Sequence, residues 1–171
     1  AVNDPDLGTG VPGADDVASL GRRSRYAPVY IVWDGDELDR IILPVRGAGM
    51  WSMMYGYIAL EADFTTVACM TCYEQNETPG LGDQITHPHW LAQWRGKQIY
   101  DHTGVTLFNV SEGVVDPGSV HAPFQVDALT GATVTGNAVT GLVRYWFGPH
   151  GYKELLDHMK DHPPVRTEAE S

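Results

Sequence analysis

The stretch from Val134 to Phe147 sets the firmest limit on the fold. Val139, Leu142, Val143 and Trp146 fall at helical spacing, and Gly148-Pro149 ends the run. A helix with one apolar stripe must bury it. Strand signals precede it. Val29-Tyr30-Ile31-Val32-Trp33 is β-rich and stops at Asp34-Gly35, a hairpin signal, and Arg40 to Val45 resumes the apolar run. Tyr57-Ile58-Ala59-Leu60 leads through a turn at Glu61-Ala62-Asp63 into a strand over Val67 to Tyr73.

Between these strands and the long helix the pattern is broken. Glu77-Thr78-Pro79-Gly80-Leu81-Gly82 reads as a turn, because Pro-Gly sets one negative φ and then a permissive one. Pro88 to Trp94 reads as a short helix ended by Gly96, Lys97 to Tyr100 and Val105 to Phe108 as a strand pair, and Tyr152 to Met159 as a last helix. Strands first and helices late predict an α+β domain, a mostly antiparallel twisted sheet with packed helices. With 171 residues, 43% of them hydrophobic, the chain can bury one core. Residues 1–24 read as a flexible lead-in, 25–160 as the domain and 161–171 as a polar tail.

A formal net charge of -11 argues against nucleic acid as a partner, since phosphate backbones are bound by clustered Lys and Arg. No apolar run is long enough to cross a bilayer, and the chain opens without Met or a signal peptide, which reads as a trimmed form. Cys69 and Cys72 sit three apart on a predicted strand, so their thiols face opposite sides and read as buried and inert. His87-Pro88-His89 lacks a third ligand, and no metal is expected. No residue is assigned a catalytic role.

Thr130-Gly131-Ala132-Thr133 lies directly before the long helix, whose free N–H groups and positive dipole end attract a phosphate. Gly131 and Ala132 leave room for a large group. By residue type alone, the commoner role of Thr133 or Thr135 is to cap the helix.

The run Asp127-Ala128-Leu129-Thr130-Gly131-Ala132-Thr133 resembles the flavinylation motif Asp-x-x-(Ser/Thr)-Gly-Ala-Thr recognised by bacterial flavin transferases. Gly49-Met50-Trp51-Ser52-Met53-Met54-Tyr55-Gly56, Glu77 to Gly82 and Trp94-Arg95-Gly96-Lys97-Gln98 resemble the family of covalent FMN-binding C subunits of sodium-translocating NADH:quinone oxidoreductases. The resemblance runs in order from about Tyr26 to His158. Ala128 stands where glycine is usual, the cysteine pair is not part of the pattern, and the N-terminal membrane helix of the family is missing from the sequence.

The resemblance implies FMN joined covalently through its phosphate to Thr133, with Thr135 the nearest competing hydroxyl. It implies that Glu77, Thr78, Leu81 and Gly82 line the isoalloxazine ring and that Gly131 gives it space. Trp51 is then either a flavin contact or a buried core aromatic. Lys97 either neutralises flavin charge or is a solvated lysine, and Asp127 serves transferase recognition or local turn geometry. The implied function is an electron relay from an iron centre to the next flavin of a sodium-pumping NADH:ubiquinone reductase, not catalytic as an isolated chain. Its implied partners are the other subunits of that membrane complex, a flavin transferase for maturation and a membrane tether holding the domain on the periplasmic side of the inner membrane. NADH would bind elsewhere, since no dinucleotide fingerprint is present. The alternatives are the equivalent flavoprotein of the ferredoxin-linked ion-translocating complex and a flavin-free binding or assembly module.

Overall fold

Strand order follows chain order. The computed structural model describes residues 2–166. A short antiparallel pair comes first, β1 (Gly8–Gly10) against β2 (Arg22–Ser24). Then β3 (Tyr30–Asp34), β4 (Glu37–Ala48), β5 (Met53–Glu61) and β6 (Val67–Glu74) form an antiparallel four-stranded meander in the order β3-β4-β5-β6. The β3–β4 turn forms where Asp34-Gly35 signals it, with Gly35 at a φ of 60° that a side chain would disfavour. A 3-10 turn at Gly82–Thr86 leads to α1 (Pro88–Ala92). A two-residue parallel pair, β7 (Asn109–Val110) with β8 (Gln125–Val126), precedes α2 (Thr133–Trp146) and α3 (Lys153–Asp161).

The alternation along β4 explains the layering. Ile41, Leu43 and Val45 are buried on one face, and each such side chain contributes about 1.5–3 kcal/mol relative to exposure. The same face is covered by α2, whose Val139, Leu142, Val143 and Trp146 are all buried. Contact is close at the end of β4, where a Cβ on Gly47 would lie 3.1 Å from Cβ of Leu142. Polar links fix the helices on the sheet. The Trp146 indole donates to the carbonyl of Arg46 at 2.7 Å, and the Tyr152 hydroxyl donates to that of Pro44 at 2.6 Å. Beyond the sheet edge, Trp94 stacks on Phe108 with ring centroids 4.3 Å apart, extending the core under α1. The architecture is the α+β arrangement that the sequence pattern predicts.

Three local expectations give way. The lead-in over 1–24 carries β1 and β2, buries Ala18 and Leu20, and accepts a hydrogen bond from Ala48 N–H at the Ala18 carbonyl, 2.9 Å. Its turn is held by Asp16, whose carboxylate accepts the N–H groups of Leu20 and Gly21, each at 2.7 Å. In place of a strand pair over 97–108 there are two isolated bridges, Thr66 with Gln98 and Tyr100 with Thr106. The Asp101 carboxylate gathers the N–H groups of Thr103 and Val105 at 2.8 and 2.9 Å, which tightens the turn too far for a ladder to continue. Cys69 is exposed on the outer face of β6 rather than buried, while Cys72 packs partly against the core on the other face, so both thiols are free. Burial raises the Cys72 thiol above its ordinary pKa. The tail expected over 161–171 extends past the described residues.

Candidate functional site

The segment ahead of α2 is pinned at Asp127. Its N–H donates to Oε1 of Gln93 at 2.9 Å, its carbonyl accepts the Trp90 indole at 2.9 Å, and its carboxylate accepts Val115 N–H at 2.8 Å. Asp127 is thus a geometry-setting residue of the turn. Four residues then reverse the chain, with Ala132 N–H donating to the Leu129 carbonyl at 2.9 Å. The third of them, Gly131, has a φ of 73°, the conformation a turn of this kind requires there. A Cβ on Gly131 would also lie 2.8 Å from Cδ2 of Leu81. The two sequence motifs, far apart along the chain, therefore meet at Leu81 and Gly131.

Ala132 occupies the N-cap position of α2 and can offer no side-chain acceptor, so the first turn of the helix has no side-chain cap. Its N–H groups and the positive end of the dipole remain available to an anion. Thr133, the first helical residue, is exposed. Its side chain borders a recess of about 220 Å³ between Ser111, Glu112, Ala128 and Asn137. The capping role that residue type alone suggests for Thr133 or Thr135 is taken by neither.

Below this turn lies a buried acid. Glu77 is only 4% exposed. Its Oε1 accepts the N–H groups of Met50 at 2.9 Å and Trp51 at 3.4 Å, and its Oε2 accepts the hydroxyl of Thr135. Thr135 is itself 1% exposed. Gly82 closes the packing, since a Cβ there would lie 2.7 Å from Oγ1 of Thr135 and 2.9 Å from Cβ of Glu77. Gly49 is required for the same reason, because a Cβ on it would collide with Oε1 of Glu77. One carboxylate thus ties together the turn after β4, the Glu77–Gly82 turn and the start of α2.

Trp51 is not the buried core aromatic that is one of its two sequence readings. It is 66% exposed, and its indole donates to Oγ1 of Thr78 at 3.1 Å. Leu81 is exposed as well. Trp51, Thr78 and Leu81 therefore form a surface rim around the enclosed Glu77, and Gly131 and Thr133 lie on the neighbouring turn. Lys97 is half-buried and turned away from this rim, its ammonium donating to the Ala122 carbonyl at 2.8 Å. It lines a separate groove of about 720 Å³ with His89, Arg95 and Asp127. Among the described residues no three His, Cys, Asp or Glu side chains are grouped to hold a metal, and no helix is long and apolar enough to cross a membrane.

The sequence offers Thr135 as a helix cap or a competing hydroxyl and gives no direct sign of its bond to Glu77. A signal is present. Residues 135, 139, 142 and 146 follow one helical stripe, which puts the Thr135 hydroxyl on the buried face where it needs a partner.

The FMN-binding domain family matches residues 49–148, which includes the rim, the buried acid and the α2 start. The C subunit of the Na(+)-translocating NADH-quinone reductase of Pseudomonas aeruginosa is 44% identical over 160 residues, covering 94% of this chain and 61% of that protein. Its counterpart in Vibrio parahaemolyticus is 43% identical, covering 85% of this chain and 55% of its own. The chain thus spans about three fifths of the length of these curated relatives. In three dimensions it is similar to the crystal structure of Shewanella oneidensis NqrC, with a TM-score of 0.86 at 37% identity over 93% of this chain and 71% of that one. A matched family covering more than half the sequence, together with these relatives, establishes that the chain belongs to the FMN-binding domain family, where it is similar to the C subunits of sodium-translocating NADH-quinone reductases.

Proposed function

We propose that this chain carries FMN covalently, as a phosphoester on Thr133, and works as an electron carrier within a sodium-translocating NADH:quinone reductase. The observation that carries the reading is the exposed Thr133 hydroxyl on the uncapped first turn of α2, inside the matched family. The residues present fit such a group. A phosphodiester is an anion, and the free N–H groups at a helix start offset its charge without a lysine or arginine. Gly131 keeps the approach open, because any side chain there would meet Leu81. The exposed indole of Trp51 and the side chain of Leu81 offer flat and apolar contact to a ring, and Thr78 holds the indole in place.

Attachment requires an activated donor, for which a flavin dinucleotide has the necessary chemistry. The Oγ–P bond to Thr133 forms as the phosphoanhydride bond breaks, the nucleoside monophosphate leaves, and the hydroxyl proton passes to a base of the transferase. No nucleotide-activating motif occurs in this sequence, so a separate flavin transferase is part of the reading. Bound FMN supplies reversible electron transfer; the protein orients it and excludes its loss. Glu77 is better suited to shaping the site than to touching the ring, since both its carboxylate oxygens are engaged inside the protein.

The rest of the reading rests on the relatives. Proteins named for the NADH-quinone reductase at 40–44% identity favour that complex over its ferredoxin-linked counterpart. The carrier would accept electrons from an iron centre and pass them to the flavin of a neighbouring membrane subunit, with the domain over 25–160 tethered on the periplasmic side. Co-expression with a bacterial flavin transferase, followed by intact mass and peptide mapping, tests the central part. One added FMN on the peptide containing Thr133 is expected, and an unmodified wild-type chain under those conditions contradicts it.

A further inference from the structure

The α2 start offers two threonine hydroxyls two residues apart, and a phosphoester needs one acceptor. Their surroundings differ sharply. Thr133 is exposed, whereas Thr135 is 1% exposed and its hydroxyl proton is committed to Glu77 Oε2. A hydroxyl already donating to a buried carboxylate, with Gly82 packed against its oxygen, has no path to a bulky phosphoanhydride. The same bond has a second consequence. Because the N-cap residue of α2 is Ala132, no side-chain hydrogen bond from that position holds its first turn. The Thr135–Glu77 bond is the side-chain link from that turn to the body of the protein, and Glu77 is in turn held by the N–H groups of Met50 and Trp51.

We propose that Thr135 is a positioning residue: through its hydrogen bond to Glu77 it locks the first turn of α2 so that Thr133 alone is presented for flavin attachment. This rests on the reading of Thr133 as the acceptor. No chemistry passes through Thr135 or Glu77. They act by geometry and by removing the competing hydroxyl.

The experiment measures initial rates of flavin incorporation with purified bacterial flavin transferase and flavin–adenine dinucleotide, on the wild type, Thr135→Val, Thr135→Ser and Leu156→Ala, with peptide mapping of the product. Thr135→Val keeps the shape and removes the hydroxyl, and its rate is expected to fall at least tenfold. Thr135→Ser restores the donor and is expected to stay within threefold of wild type, with its flavin still on residue 133. Leu156→Ala removes a fully buried side chain of α3 and controls for lost stability; it is expected to lower Tm without slowing attachment comparably. A wild-type rate in Thr135→Val overturns the proposal, as does a Leu156→Ala chain slowed as much as Thr135→Val at equal loss of Tm. No flavin on the wild type at all overturns the acceptor reading itself, a result distinct from either.

Discussion

The hydroxyl of Thr135, on the first turn of α2, donates to the carboxylate of Glu77, 58 residues earlier in the chain, and both side chains are closed off from solvent. A buried acceptor of this kind is costly to remove, because its donors are left without partners. Glu77→Ala strands the Met50 N–H and the Thr135 hydroxyl together and opens a cavity. The expected loss is about 2–4 kcal/mol, or a fall in Tm on the order of 5–10 °C for a domain of this size. Glu77→Gln keeps the shape and one acceptor oxygen, and is expected to cost roughly half as much. Thermal unfolding followed by circular dichroism measures both.

Gly131 carries two separate demands, a φ of 73° and an approach that brings Leu81 to within 2.8 Å of a Cβ. Gly131→Ala meets neither. The strained backbone and the displaced Leu81 together are expected to cost about 1–2 kcal/mol. On the proposed function the same change slows flavin attachment, since the turn delivering Thr133 must shift. Gly96 is the internal comparison: it has a φ of 79° but open space at its Cβ, so Gly96→Ala is expected to cost about 1 kcal/mol and leave attachment unaffected.

The β5–β6 hairpin has a pH-dependent clasp at Asp63. Burial works against its charge, but hydrogen bonds from the Thr66 hydroxyl and the N–H groups of Thr66 and Thr65, with Lys160 nearby, outweigh that effect and lower its pKa below the ordinary 3.8. The bonds are 2.6, 2.8 and 2.9 Å long. A depressed folded-state value stabilises the protein above the ordinary carboxylate pKa, and the contribution is lost as pH falls through the folded value. Asp63→Asn is therefore expected to cost about 1 kcal/mol at pH 7, discounted for the solvent around this turn, and almost nothing near pH 2. Urea unfolding of both chains at the two pH values checks the sign.

The parts of the fold that are legible in sequence are those set by local chemistry. Asp34-Gly35 specifies its turn, the stripe of Val139, Leu142, Val143 and Trp146 specifies a buried helix face, and β5 and β6 follow from apolar runs bounded by polar turns. What escapes depends on distant partners. The lead-in is composed of turn-forming residues, and only the tertiary surface of α2 and β4 gives Ala18 and Leu20 something to bury against. Trp51 is an aromatic that composition favours burying, yet its indole finds Thr78 at the surface. At the site, motif resemblance names Thr133 and the Glu77–Gly82 turn, while the bond between Glu77 and Thr135 lies outside the reach of any local pattern because it joins segments that only the fold brings together.

The most direct test is the Thr133→Ala substitution. Thr133 is exposed and caps nothing, so its loss is expected to change stability by no more than about 0.5 kcal/mol. Intact mass after co-expression with a flavin transferase is the measurement. One FMN added to the wild type and none to Thr133→Ala, with matching Tm for the two unmodified chains, is the predicted result. Equal flavin mass on both chains, or none on the wild type, would contradict the assignment of Thr133 as the flavin acceptor.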